Sequence, residues 1–409
     1  MKPRNARECT IFDEGLSEQV RTGHKGIYLD HAATTPVDPI VAQAMVTCME
    51  RGYGNPSSLH AFGREARHAM QVGREQVAAL IGAAFEEIVF TSGGTEADNL
   101  GLNGVALDRI ERGDHLIVSR IEHHAVLETA KALEGQGFRV TYLPVDGDGL
   151  VDPDDVRRAI TPRTVLISVM LANNEVGSIQ DVAAIGKIAR ERGVTFHSDA
   201  VQAAGSIQVD VNELNVDLLS ISAHKLYGPK GIGALYVRKG TGLRPMLHGG
   251  GQERGRRAGT ENLPGIVGFG VAAQLAKGRR KERAARAASL RDRLVAGVLA
   301  QIPHARLNGH ANLRLPGNAH FSFLGIEGEV ILLNLDLEGI ACSSGSACAS
   351  GTPEPSHVLT AMGVPGDWAG GSVRLTLGEA NVDGDVDRVL EVLAEVVAKL
   401  RRLSPVYVD

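Results

Sequence analysis

Residues 218–239 read LLSISAHKLYGPKGIGALYVRK. An apolar run (Leu218, Leu219, Ile221) leads into a polar cluster, Ser222, His224 and Lys225. A turn with Gly228, Pro229 and Gly231 follows, and then a second apolar run over 232–237. The pattern predicts strand, loop, strand, with a lysine lodged between two segments apolar enough to be buried. Burying an unpaired ammonium is costly and lowers its pKa. A lysine in that condition is the amine that condenses with a carbonyl carbon. Lys225 is therefore the candidate centre of a site, the ordinary alternative being a solvated loop lysine.

Outward from this stretch, toward the N-terminus, apolar runs recur at 195–199, 165–171, 140–145, 116–121 and 88–91. Helical periodicity lies between them, as at 95–112 and 181–192, and an amphipathic helix is expected over 58–81. The alternation predicts an α/β fold: a mostly parallel seven-stranded sheet covered by helices, with the ligand site at the carboxyl ends of the strands. Residues 26–41 read as a short strand running into a Pro- and Thr-rich turn. Beyond 239, an Ala- and Arg-rich helix over 265–303 bridges to a smaller α+β unit. That unit has strands near 319–323 and 372–377 and helices near 329–337 and 386–403. The expected division is a mobile extension over 1–25, a large domain over 38–280, and a small domain formed by 26–37 and 281–409.

The chain has 409 residues, a formal net charge of −5, 43% hydrophobic and 22% charged residues. That is soluble globular material with no electrostatic reason to bind nucleic acid or a membrane. No apolar run approaches the roughly 20 residues of a membrane helix, and residues 1–25 lack the apolar core of a signal peptide. Four scattered cysteines, Cys9, Cys48, Cys342 and Cys348, form no disulfide framework, so a reducing, cytoplasmic setting is expected.

Four strand ends carry chemistry. The strand over 88–91 runs into Ser92-Gly93-Gly94-Thr95-Glu96 and a helix, an arrangement that turns backbone N–H groups toward an anion or forms a plain tight turn with a Thr cap. Glu122-His123-His124 closes the next strand; adjacent histidines there point in opposite directions, which favours one acid/base or ring-stacking imidazole over a metal site. Asp199 ends its strand in His197-Ser198-Asp199 and needs a cationic or N–H partner, a pyridinium nitrogen being one and the N–H groups of the next turn another. Lys225 is the fourth. Anion cradle, ring-facing imidazole, acid and amine together match the needs of pyridoxal 5′-phosphate. The GxGxxA match at 268–273 lies inside helical sequence with no strand before it and carries no dinucleotide reading.

The stretch ACSSGSACASG, residues 341–351, is rich in small residues and is expected to be a mobile loop. An unperturbed thiol, with a pKa near about 8.5, is only a few per cent thiolate at neutral pH. The loop holds no Lys, Arg or His, so activation must come from elsewhere. Cys342 follows apolar Ile340-Ala341 and reads as packed, and Cys348 as the exposed thiol; a redox pair or two structural thiols are the other readings.

Over about 27–404 the chain resembles the group I, NifS/IscS-like cysteine desulfurases of fold-type I pyridoxal-phosphate enzymes. The stretches that carry the resemblance are YLDHAATTPVDP, GNPSSLHAFG, TSGGTEADN, EHHAVLET, NNEVGSIQD, FHSDAVQAAG, SAHKLYGPKGIGALYVR, HGGGQERGRRAGTEN, SSGSACASG with EPSHVL, and GSVRLTLG. The resemblance implies that Lys225 binds the cofactor covalently, that Asp199 pairs with the ring nitrogen, and that His123 stacks on the ring and shuttles protons. Gln202 and Asn174 would bond the ring oxygen. Gly94, Thr95, Ser222 and His224 would hold the phosphate, with Thr260 reaching over from the second subunit of a homodimer. Arg374, helped by Asn174, would take the carboxylate of L-cysteine as a bidentate fork. Cys348 would attack the substrate sulfur, release alanine and pass a persulfide to an acceptor protein. No metal is implied.

Two departures bear on that acceptor. Many relatives read Ser-Leu-Gly-Arg-Phe where this chain has Thr376-Leu377-Gly378-Glu379-Ala380. The sequence also closes on LRRLSPVYVD without the longer tail that IscS-like members use to dock an iron–sulfur scaffold. The alternatives to a desulfurase are another enzyme on the same fold, such as a selenocysteine lyase, aminotransferase or epimerase, and a non-catalytic assembly protein.

Overall fold

A computed structural model describes residues 26–344, 356–405 and 407. The expected N-terminal extension (1–25) and residues 345–351 of the cysteine loop, Cys348 among them, lie outside the described residues.

In chain order the first elements are β1 (Ile27–Tyr28), α1 (Pro39–Arg51), α2 (Ala61–Leu80), β2 (Ile88–Thr91), α3 (Gly94–Asp108), β3 (His115–Ser119), α4 (His124–Glu134) and β4 (Arg139–Leu143). Next come α5 (Pro153–Ala159), β5 (Thr164–Ser168), α6 (Val182–Arg192), β6 (Thr195–Asp199), β7 (Leu218–Ser222), β8 (Gly233–Val237) and the 39-residue α7 (Leu263–Gln301). The chain continues through β9 (Ala305–Asn308), β10 (Asn318–Phe323), α8 (Gly328–Leu337), β11 (Ile340–Ala341), α9 (His357–Ala361), α10 (Gly366–Ala369), β12 (Ser372–Thr376) and α11 (Asp383–Leu403).

The expected seven strands form one sheet in the order β2-β8-β7-β6-β5-β3-β4. Only β8 runs antiparallel to its neighbours. Strands β2, β3 and β5 to β8 are buried along their whole length, which is why their sequences read as continuous apolar runs instead of alternating ones. The ladders stop two or three residues short of the expected ends at β3, β4 and β5. Ile121, Val169 and Leu171 remain buried past the ladder, so apolarity persists where the strands give way to the loops that carry the site.

A helix was not expected after the Pro-Thr turn, yet α1 begins there. Asp38 caps it, its Oδ1 accepting from Ile40 N at 2.8 Å, and Pro39 fills the first helical position. Only Val41 of α1 is buried, while Ile40, Val46 and Met49 face outward, so the sequence shows no clean apolar stripe.

The second sheet has the order β12-β10-β9, all antiparallel, and β9 was also unforeseen. Phe321, Phe323, Val373 and Leu375 pack there against Val389 and Leu393 of α11. Helix α7 joins the two cores: Ile266, Phe269 and Ala273 pack into the first, and Leu290, Leu294 and Val298 into the second. The N-terminal stretch is stitched to the far end of the chain, with β1 paired to β11 and Leu29 O accepting from Thr376 N at 2.7 Å.

Candidate active site

A cavity of about 290 Å³ opens at the carboxyl ends of the parallel strands. Gly94 and Thr95 reach it from the turn after β2, His123 from the end of the β3 loop, and Asn174 from the loop after β5. Asp199 and Gln202 come from the end of β6 and its turn, and Ser222, His224 and Lys225 from the end of β7. Arg374 enters from β12 of the second sheet. Thr260 does not line this cavity. It is exposed and borders a separate hollow with Ser92 and Arg257.

The turn after β2 is built by close approach. A Cβ at Gly94 would lie 2.8 Å from Val201 Cγ2, and one at Gly233 would lie 2.6 Å from the carbonyl carbon of Gly93. Neither position has room for a side chain, so β8 lies directly against the turn. The first-turn N–H groups of α3 have no carbonyl four residues behind them. Beside them Ser222 Oγ is buried without a hydrogen-bond partner. Together these donors form a site for an anion.

Lys225 closes a single 3₁₀ turn between β7 and β8, as the strand–loop–strand reading requires. It is half-buried and its ammonium is not unpaired: Nζ donates to Ala32 O at 2.5 Å and to Ala33 O at 2.7 Å. Gln202 Nε2 donates to the same Ala32 carbonyl at 2.9 Å. Asp199 is buried, and its Oδ1 accepts from Val201 N at 2.8 Å, so it caps the next turn while lining the cavity. Burial pushes its carboxyl up to about 6, against the opposing pull of the Val201 N–H and the Lys225 charge.

His123 caps α4, its Nδ1 accepting from Ala125 N at 3.1 Å. A neutral imidazole that accepts at Nδ1 carries its proton at Nε2. Burial, then the Lys225 charge and the neighbouring His124 and His357, push this ring down to about 4, so it is neutral at pH 7. The two adjacent histidines do not converge: their centroids are 6.4 Å apart, and His124 instead meets His357 at 4.7 Å. His224 is likewise pushed down to about 4, by burial first and then by Lys225 and Lys230.

Arg374 is buried. Its Nη1 donates to Asn174 O at 2.9 Å and its Nη2 to Asp30 Oδ1 at 2.9 Å, while Nε has no partner. Its backbone exchanges two hydrogen bonds with Ser343, of 2.6 and 3.2 Å.

A family model described as aminotransferase class-V matches residues 27–389. The chain belongs to that family, in its NifS/IscS-like branch. It is 54% identical over 388 residues to a cysteine desulfurase IscS of Methanosarcina thermophila, covering 95% of this chain and 96% of the relative. A cysteine desulfurase IscS of Dictyoglomus turgidum is 52% identical over 379 residues, 93% of this chain and 96% of the other. Among solved structures, a NifS-like protein superposes with a TM-score of 0.86 at 40% identity, covering 92% of this chain and all of that one. A structure described as SspA in complex with cysteine gives a TM-score of 0.78 at 37% identity, with 87% of this chain covered and all of that one.

Aminotransferase class-V enzymes of this branch are pyridoxal-phosphate enzymes, and the residues present fit that group. The partnerless Ser222 hydroxyl and the α3 N-terminus suit its phosphate, the Asp199 carboxyl its ring nitrogen, and the Lys225 amine its aldehyde. Three neighbours of the site went unread in the sequence. Asp30 pairs with Arg374, Asp98 lines the cavity, and buried Glu122 accepts from Ser119 Oγ and, at 2.8 Å, from Met170 N. Asp98 falls three residues after Thr95, on the same helix face, and that spacing was the available signal. Cys342 packs beside the second core, as its apolar flank suggests, and burial pushes its thiol up to about 12.

Proposed function

We propose that this protein is a cysteine desulfurase that works as a homodimer in the cytoplasm, with L-cysteine as substrate and L-alanine as product. The sulfur is held as a persulfide on Cys348 for an acceptor protein: an iron–sulfur scaffold, a tRNA-thiolating enzyme or a DNA phosphorothioation system. One observation carries the reading. A single cavity gathers Lys225, Asp199, His123, Ser222 and Arg374, and the chain leading to Cys348 departs from Ser343, whose backbone is paired with Arg374.

Pyridoxal phosphate, when bound, supplies an electron sink at the substrate α-carbon. Lys225 would anchor it, Asp199 would hold a proton at its ring nitrogen, and Gln202 and Asn174 would bond its ring oxygen. Gly94, Thr95, Ser222 and His224 would hold the phosphate, completed by Thr260 of the second subunit. His123 would pack on the ring and exchange protons through Nε2 alone, because Nδ1 is committed to Ala125 N. Arg374 receives the substrate carboxylate, with its partnerless Nε as the donor already free, and Asn174 assists. The Cys348 thiolate attacks the substrate sulfur: an S–S bond forms, the Cβ–S bond breaks, and its electron pair stays with Cβ, which is protonated as alanine leaves. Cys348 follows Ser343 by five positions in the sequence.

The test is turnover of L-cysteine by the purified protein and by its Cys348→Ala variant. The parent should give equimolar alanine and sulfide with a reductant. The variant should keep the cofactor's visible band and release no sulfide; full turnover by it would overturn the assignment.

A further inference from the structure

Three carboxyl groups, those of Asp98, Glu122 and Asp199, are buried next to the cavity, and charge on one disfavours charge on the others. Their partners differ. Asp199 accepts the Val201 N–H and faces the Lys225 charge. Glu122 accepts the Ser119 hydroxyl and the Met170 N–H. Asp98 is 1% exposed; its carboxyl meets only the Ser220 hydroxyl, and its Oδ1, like Glu122 Oε2, has no hydrogen-bond partner.

Among the described residues no lysine or arginine is paired with Asp98. His197 Nε2 lies 3.6 Å from its Oδ1. That ring is already engaged at both nitrogens, Nδ1 with Ser168 Oγ at 2.9 Å and Nε2 with Ser220 Oγ at 3.0 Å. Complete burial keeps it neutral down to about 3. The Ser220 hydroxyl also stands against the Asp98 carboxyl, and Ser220 is the cross-strand neighbour of Asp199. Asp98, Asp199 and His197 thus meet at one serine: His197 lies two residues before Asp199 on the same face of β6, and α3 brings Asp98 down from above.

We infer that Asp98 is a positioning residue for the ring-pairing acid: seated in the cavity lining as a neutral carboxylic acid, it leaves Asp199 to carry the negative charge of the pair. The inference rests on the reading of Asp199 as the partner of the ring nitrogen. An ionised Asp98 would set a second, uncompensated anion in the same buried floor and raise the affinity of Asp199 for a proton. As the acid it has a proton to give and needs no counter-charge, which matches an oxygen left without a donor.

The experiment compares the holoenzyme with its Asp98→Asn, Asp98→Ala and Asp199→Asn variants. In the infrared difference spectrum of parent minus Asp98→Asn at pH 7.5, the stretching band of a buried protonated carboxyl should appear. Asp98→Ala should raise the dissociation constant for pyridoxal phosphate at least tenfold, and Asp98→Asn, which keeps shape and neutrality, should restore it to within threefold of the parent. An ionised carboxylate band in the difference spectrum would overturn the inference, as would an Asp98→Asn variant as impaired as Asp98→Ala. The Asp199→Asn variant separates the two readings. If it leaves cofactor affinity and the pH titration of the visible band unchanged, the role given to Asp199 fails, whatever the Asp98 band shows.

Discussion

Replacing Glu253 by alanine should destabilise the protein by about 4 kcal/mol. Glu253 is buried, and its carboxylate takes three hydrogen bonds: Arg74 Nη1 at 2.7 Å, Arg74 Nη2 at 2.5 Å and Phe90 N at 2.8 Å. The arginine is buried too, donates to Ile88 O at 2.7 Å, and lies 4.7 Å from the centre of the Phe90 ring. Removing one partner of such a pair leaves the other as a bare buried charge, at a cost of about 3–5 kcal/mol. Backbone geometry adds to the dependence. Glu253 and Arg254 both sit at positive φ, 46° and 58°, a conformation that persists only when its surroundings enforce it. The double variant Arg74→Met with Glu253→Met is the informative control, because it removes both charges and keeps the volume. It should recover at least about 2 kcal/mol of the loss, with the Phe90 N–H as the residual cost. Urea unfolding followed by circular dichroism measures both. A loss below about 1 kcal/mol for Glu253→Ala, or a double variant no better than the single one, would refute the assignment of this pair as the clamp that holds 251–256 to the start of β2.

Other outcomes follow from the same geometry. Lys225→Ala should abolish the covalent cofactor band in the visible spectrum of the reconstituted protein while leaving the far-ultraviolet circular dichroism unchanged. Arg374→Lys keeps the charge but loses the fork, so kcat/KM for L-cysteine should fall by roughly 30-fold, the equivalent of one charge-assisted bond of about 2 kcal/mol. Glu122 is pushed up to about 8, burial being the main cause, so its folded-state stabilisation is complete below its unfolded value of 4.5 and is lost as pH rises toward 8. Glu122→Gln lacks that loss, and its stability relative to the parent should rise by about 1.4 kcal/mol per pH unit between pH 5 and 8, as read by unfolding at a series of pH values. Cys342→Ser should leave sulfide release unchanged, since burial keeps that thiol protonated at any working pH.

The sheet was legible because all its strands but β4 are buried on both faces and separated by helical periodicity. His123, Asp199 and Lys225 were legible because each is a polar residue at the end of an apolar run. What stayed hidden has physical causes. Helix α1 hides because its apolar residues, Ile40, Val46 and Met49, point outward, and β9 because three of its four residues are only half-buried. Asp30 and the Ala32 and Ala33 carbonyls were invisible because their partners, Arg374 and Lys225, are about 340 and 190 residues away in the chain. Periodicity reports which face of an element is buried, and says nothing of which distant backbone oxygen meets a lysine.

The seat of Lys225 depends on residues from both extremes of the described chain. The carbonyls that hold its ammonium belong to Ala32 and Ala33. The amide of Ala32 is fixed in turn by Thr376 Oγ1 at 2.9 Å, on the last strand of the second sheet. During synthesis the seven-stranded sheet can close once residue 237 has left the ribosome, yet the lysine's carbonyl seat is pinned only after residue 376 has emerged. The seat of this lysine is thus complete only when residues 344 positions apart have met, and a chain cut before residue 376 would hold the sheet without it.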